Sequence, residues 1–247
     1  MPYVETKGHR FNYVIDDYTD PWKPARVVVL HHSAAGNLNR WRAWVPTLAR
    51  HFRVVRFDMR GHAGTPPPAG LQFSLEELAA DIARILDALG VEKADLVGAS
   101  GGGIVAAQLR VDLGAWGRLL REKGVREWIL ADAKRRFSPN ADPGLIEWFA
   151  EEGAKTSAEV VMALQRCLLA EDLTPLLPMI RVPTLILASR ESAMMPLEMQ
   201  RLMARRMPNA TLRTFAGVGQ NMKVEIPDRL ARETLKFVLA HAGPSGR

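Results

Sequence analysis

Residues 93–102, Lys-Ala-Asp-Leu-Val-Gly-Ala-Ser-Gly-Gly, constrain this chain more than any other stretch. KADLVGAS reads as a short buried strand, and GGGIVAAQLR turns straight into a helix from Gly101. Gly98-Ala99-Ser100-Gly101-Gly102 therefore sets a serine at a sharp strand-to-helix turn in the pattern G-x-S-x-G. The turn strains the serine backbone, and the flanking glycines avoid a Cβ clash. Its hydroxyl then projects above the sheet at a helix N-terminus, where the Gly101 N–H can receive a developing oxyanion. A dinucleotide-binding turn is the rival use of such glycines. Here the third glycine is misplaced, and no acidic residue ends the following strand. Ser100 is the candidate nucleophile.

The rest of the chain supplies a scaffold for such a turn. RVVVLHH (26–32), FRVVRFD (52–58), VPTLILAS (182–189) and ATLRTFAG (210–217) read as strands. Between the first two, Trp41, Trp44, Val45 and Leu48 have helical spacing. SLEELAADIARILDALG (74–90) predicts a helix capped by Ser74 and Glu77, with Leu75, Leu78, Ile82, Ile85 and Leu89 on one face and Gly90 as its stop. Further helices are expected at 196–207 and 227–242. Strands alternating with helices predict an α/β fold with a mostly parallel sheet covered on both faces. Residues 111–178 differ, being rich in Leu, Trp, Ala, Glu and Arg at helical periods. They read as a helical cap inserted into a core of 1–110 and 179–247.

Composition narrows the partners. The net charge of +6 is spread as isolated residues and pairs such as Arg135-Arg136 and Arg205-Arg206. No zinc spacing or recognition motif accompanies it, so nucleic acid is not expected and a small apolar or anionic substrate is. No apolar run reaches membrane-spanning length, and the N-terminus lacks the pattern of a signal peptide. The single cysteine, Cys167, fits a reducing compartment and reads as a buried thiol on a helix face. A cytoplasmic protein without metal or cofactor, able to form homo-oligomers, is expected.

Several segments together resemble the α/β-hydrolase fold, and within it 3-oxoadipate enol-lactone hydrolases and related esterases and C–C bond hydrolases. They are VVVLHH before a tryptophan-rich helix, FDMRGHAGT, the GASGG turn, PTLILAS, and FAGVGQNMKVEIPDRL before the last helix. The resemblance implies oxyanion N–H donors at Ala34 and Gly101. It also implies a histidine base where this chain has Gln220, and an acid where it has Ser192, with Glu191 alongside. A glutamine takes no proton from serine at any working pH. The loop after the first of these strands carries His32-Ser33 in place of His-Gly, and Ala35 where glycine is usual.

Two substitutes for the missing groups stay open on sequence. His32 is an alternative base, or it holds the oxyanion loop by hydrogen bonds. VREWILADA is a sheet strand ending in Asp132 as a relocated acid, or it is the start of the cap. His62 reads as a structural residue of its tight turn, and His31 and His32 as pointing to opposite strand faces. Three functions follow: weak hydrolysis with a disrupted triad, non-hydrolytic lyase, isomerase or cofactor-free oxygenase chemistry in the same pocket, or ligand binding by a catalytically dead relative.

Overall fold

The β-branched runs occupy the middle of a mixed sheet. The computed structural model describes residues 2–6, 8–100 and 113–241. Strands β1 (Tyr3–Thr6), β2 (His9–Asp16), β3 (Val27–His31), β4 (Arg53–Phe57) and β5 (Ala94–Gly98) lie in the order β1-β2-β4-β3-β5. β3 pairs in parallel with both β4 and β5, whereas β1/β2 and β2/β4 are antiparallel. Val28, Leu30, Val54 and Val55 are completely buried, as strands covered on both faces require. The parallel pair β6 (Thr184–Ser189) and β7 (Ala210–Phe215) continues the α/β pattern toward the C-terminus.

No local sequence signal marks the hairpin β1/β2. Polar residues on both faces of β2 (His9, Arg10, Asn12, Asp16) hide its alternation, while Gly8 reverses the chain at φ +77°. The helix expected around Trp41–Leu48 is instead a 3-10 turn, Leu38–Trp44, running into the short α1 (Val45–Leu48). Trp41 and Trp44 meet edge to face there at 5.0 Å.

Helix α2 (Leu75–Ala88) starts where expected, with Ser74 Oγ accepting the Glu77 N–H. It covers one sheet face through Ile85, beside Phe11, Val29 and Val55. On the other face Trp41, Trp44, Leu48, Leu230 and Val238 pack over Val28, Leu30 and Val54.

Helical structure fills the described part of the 111–178 segment. α3 (Leu113–Ala131) bends at Gly124, at φ +79°. α4 (Ala133–Arg136), α5 (Pro143–Ala154), α6 (Ala158–Ala170) and a 3-10 turn at Thr174–Met179 follow. Among the described residues, no strand lies between Gly98 and Thr184. The strand reading of VREWILADA is therefore overturned. Leu120, Val125, Trp128 and Ile129 bury one side of α3 against Phe149 and Val161 at helical intervals. Each large side chain so buried contributes about 2–3 kcal/mol. Asp132 ends this helix beside Arg135 (3.4 Å) and Arg136 (3.5 Å), so it is not an acid at a strand tip.

The chain closes with α7 (Leu197–Arg206), α8 (Met222–Glu225) and α9 (Pro227–Ala240). Among the described residues no helix is long and apolar enough to cross a membrane. Cys167 is half-buried on α6, its thiol pushed up by burial and then by Glu171 and Glu76.

Candidate active site

The backbone at Ser100 carries the strain expected of the motif. Pairing of β5 with β3 extends one residue past the strand, through Ala99 N–H to His31 O (3.1 Å), and Ser100 then enters the left-handed region at φ +72°. For a residue with a Cβ this costs about 1–2 kcal/mol. Among the described residues, a Cβ built at Gly98 meets nothing within 4 Å. Gly101 lies outside the described residues.

The loop after β3 faces the same end of the sheet, because parallel strands share a C-terminal edge. Ala34 and Ala35 form its turn, and Ala35 holds φ +54° despite its methyl group. Arg40 clamps this turn. Its Nη2 donates to Ala35 O and to Phe149 O, both at 2.8 Å, and its guanidinium lies 3.2 Å from the Phe149 ring centre. Alanine therefore keeps the conformation that glycine would adopt freely.

His32 is not available as a base. It is 1 % exposed, its Nε2 accepts the Met59 N–H (2.9 Å), and its Nδ1 lies 2.9 Å from Ser33 O as donor. Burial, then His62 and His31 nearby, holds it well below the usual imidazole range. The ring is neutral with both nitrogens committed. β3 ends at His31, so strand alternation does not reach His32; the two rings lie 6.1 Å apart and nearly parallel, at 17°, rather than on opposite faces. His62 uses Nδ1 on Arg60 O (3.1 Å) within its tight turn.

The residues that the resemblance places at the base and acid positions meet. Ser192, in the loop after β6, donates its hydroxyl to Gln220 Oε1, in the loop after β7, while Ser192 Oγ accepts the Met195 N–H (2.9 Å). Ser189 Oγ donates to Val218 O (2.6 Å) and ties the two loops at their base. Glu191 turns outward: it is exposed, and its carboxylate accepts the Gly217 N–H at 3.2 Å. As a stand-in acid it is excluded by that placement.

Glu225, which no sequence motif marks, secures the Gln220 loop. Its two oxygens accept the N–H groups of Gly219 and Ser138, each at 3.0 Å. A Cβ at Gly219 would stand 2.5 Å from the Phe137 carbonyl carbon, so only glycine allows this approach. Asn221 N–H to Arg136 O (2.9 Å) completes the junction. Val218 and Met222, on either side of Gln220, belong to the apolar cluster that Ala99 packs against. Among the described residues no hydrogen bond joins Ser100 to Gln220.

Three buried cations surround this junction, and none was visible in sequence, where isolated Arg and Lys read as solvated. Arg40, Arg136 and Lys223 are each at most 9 % exposed. Lys223 Nζ lies 5.8 Å from the Phe149 ring that Arg40 covers, and Arg136 stacks on Trp128 at 4.2 Å. Burial, then the Arg40 charge, lowers Lys223 to about 7, and burial brings Arg136 down to about 10. Glu152 is spoken for by Asn37 (2.7 Å), Asn39 (3.1 Å) and Lys155 (2.7 Å).

A family model described as alpha/beta hydrolase fold matches residues 26–112. A putative carbamate hydrolase, RutD, of Caulobacter sp. (strain K31) is 27 % identical over 90 % of this chain and 94 % of its own length. The 3-oxoadipate enol-lactonase 2 of Acinetobacter baylyi is 25 % identical over 66 % of this chain and 70 % of its own. Among solved structures, the enol-lactonase from Burkholderia xenovorans LB400 superposes with a TM-score of 0.85 at 23 % identity, covering 96 % of this chain and 100 % of that one.

Proposed function

This chain is an α/β-hydrolase-fold protein, and from that premise we propose that it takes a small ester, lactone or C–C bond substrate into a pocket built around Ser100 and hydrolyses it only feebly. The observation that carries the reading is the Ser192–Gln220 hydrogen bond. It joins two neutral, non-basic side chains, those that the resemblance aligns with an acid and a base. Ser100 and the Ala34 N–H, with the Gly101 N–H that the resemblance implies, would polarise a substrate carbonyl and bind charge that develops on its oxygen. What is missing is the step that makes serine a nucleophile. Neither group offered as base takes its proton: the amide of Gln220 accepts none near neutral pH, and both nitrogens of His32 are engaged. The helices within 111–178 form the cap over this pocket, and 1–110 with 179–247 form the core.

An oxyanion hole and substrate binding without a working triad retain about 10³–10⁴-fold acceleration over water. Turnover of p-nitrophenyl acetate by the unaltered chain is expected within that range. Robust turnover abolished by Ser100→Ala would overturn the reading and require a base elsewhere. Lyase, isomerase or cofactor-free oxygenase chemistry is the second reading. It is favoured by a site that keeps its carbonyl-polarising groups while lacking a proton acceptor.

A further inference from the structure

In a triad with histidine, the serine hydroxyl donates to the ring and the ring donates to the carboxylate, so the base presents an acceptor to the serine. Here the sequence of donors runs the other way. The Met195 N–H donates to Ser192 Oγ, and the Ser192 hydroxyl donates to Gln220 Oε1. With Oε1 held, the two N–H bonds on Nε2 of Gln220 are left, and no hydrogen bond engages them among the described residues. The Gln220 loop cannot swing to relieve this, since Glu225, Arg136 and the close approach at Gly219 fix it.

Resting on the function proposed above, we propose that Gln220 is a hydrogen-bond donor positioned by Ser192, and that the pocket selects small carboxylates. One carboxylate oxygen would accept from Gln220 Nε2–H, and the other from the hydroxyl of Ser100 and the Ala34 N–H. Ser100 keeps its proton in this arrangement and spends it on the ligand.

A second observation points the same way. Arg40, Arg136 and Lys223 are buried around the same loop, and Lys223 Nζ has no carboxylate partner among the described residues. The anions nearby are already engaged: Asp132 by Arg135 and Arg136, Glu152 by Lys155 and two asparagines, Glu225 by two backbone N–H groups. Burial strengthens the field of such cations relative to water, and that field favours an anion in the adjoining pocket.

The test is calorimetric titration of the intact chain with hexanoate and benzoate, each against its neutral amide, hexanamide and benzamide. Charge-assisted hydrogen bonds are about twice as strong as neutral ones, so each acid should bind about 10-fold or more tightly than its amide. Gln220→Glu preserves an acceptor for Ser192 but replaces the donor with a negative oxygen, and should weaken the acids by about 30-fold or more while sparing the amides. Ser192→Ala, which releases the orientation of the amide, should cost the acids a smaller factor. Circular dichroism checks that each variant is folded, and the acid-against-amide preference of the unaltered chain stands whether or not a variant folds. Equal binding of acid and amide, or acids unaffected in folded Gln220→Glu, would overturn the proposal. These outcomes are separate from robust ester turnover, which would overturn the function itself.

Discussion

The hydroxyl of Ser192 donates to the amide oxygen of Gln220 across the loops that follow β6 and β7. These two positions are therefore mechanically coupled although neither is ionisable. A first expectation follows for p-nitrophenyl acetate hydrolysis. Gln220→His alone supplies a proton acceptor for Ser100, but Ser192 stabilises no imidazolium, and Glu191 is engaged with Gly217. The single change should give a modest gain. Adding Ser192→Asp should raise kcat/KM by far more than the product of the separate effects, because triad members act as a unit. Comparison of kcat/KM among the four proteins at neutral pH decides it; simple multiplicativity would refute the coupling.

The left-handed backbone at Ser100 is expected to store energy. Ser100→Gly relieves the strain but also enlarges the freedom of the unfolded chain, whereas Ser100→Ala keeps the strain. The glycine variant should be about 0.5–1 kcal/mol more stable than the alanine variant. Urea denaturation read by circular dichroism measures the difference, and equal midpoints would show that the turn is relaxed.

Lys223 should make the fold less stable when it is charged. Its folded value of about 7 lies below the ordinary lysine value of 10.5, so between those limits the unfolded chain binds the additional proton. The penalty is full below pH 7 and is relieved as pH rises toward 10. Lys223→Met should then stabilise on the order of 3 kcal/mol at pH 6 and progressively less at pH 8 and 9. Chemical denaturation across this pH range is the measurement, and a pH-independent gain would contradict the sign.

Acid should act on the histidines in the same direction as on Lys223, in a lower pH window. His62 is lowered to about 4 by burial, with His31 and His32 also lowered chiefly by burial. All three are favoured in their neutral forms inside the fold, and the unfolded chain takes up protons first as pH drops below 6.5. Stability should fall between pH 6.5 and 4, with His62 alone accounting for on the order of 3 kcal/mol. His62→Gln should flatten that slope even where it lowers stability at pH 7; an unchanged slope would assign acid sensitivity elsewhere.

The strand and helix pattern was legible in the chain because buried β-branched runs, a capped amphipathic helix and a Gly-Ala-Ser-Gly-Gly turn are local signals. The strain at Ser100 was foreseeable for the same reason. Contacts between distant segments were not. That Ser192 faces Gln220 rather than solvent follows from β6 and β7 lying side by side, with Ser189 bonded to Val218. His32 was an open candidate until its partner Met59, in the next strand's loop, closed it. Likewise, VREWILADA suits a strand or a helix by composition, and burial of Trp128 and Ile129 against Phe149 selected the helix. The cations Arg40, Arg136 and Lys223 were the least legible. Nothing local marks a charged residue for burial, since the aromatic rings and carbonyls that hold it come from three separate parts of the chain.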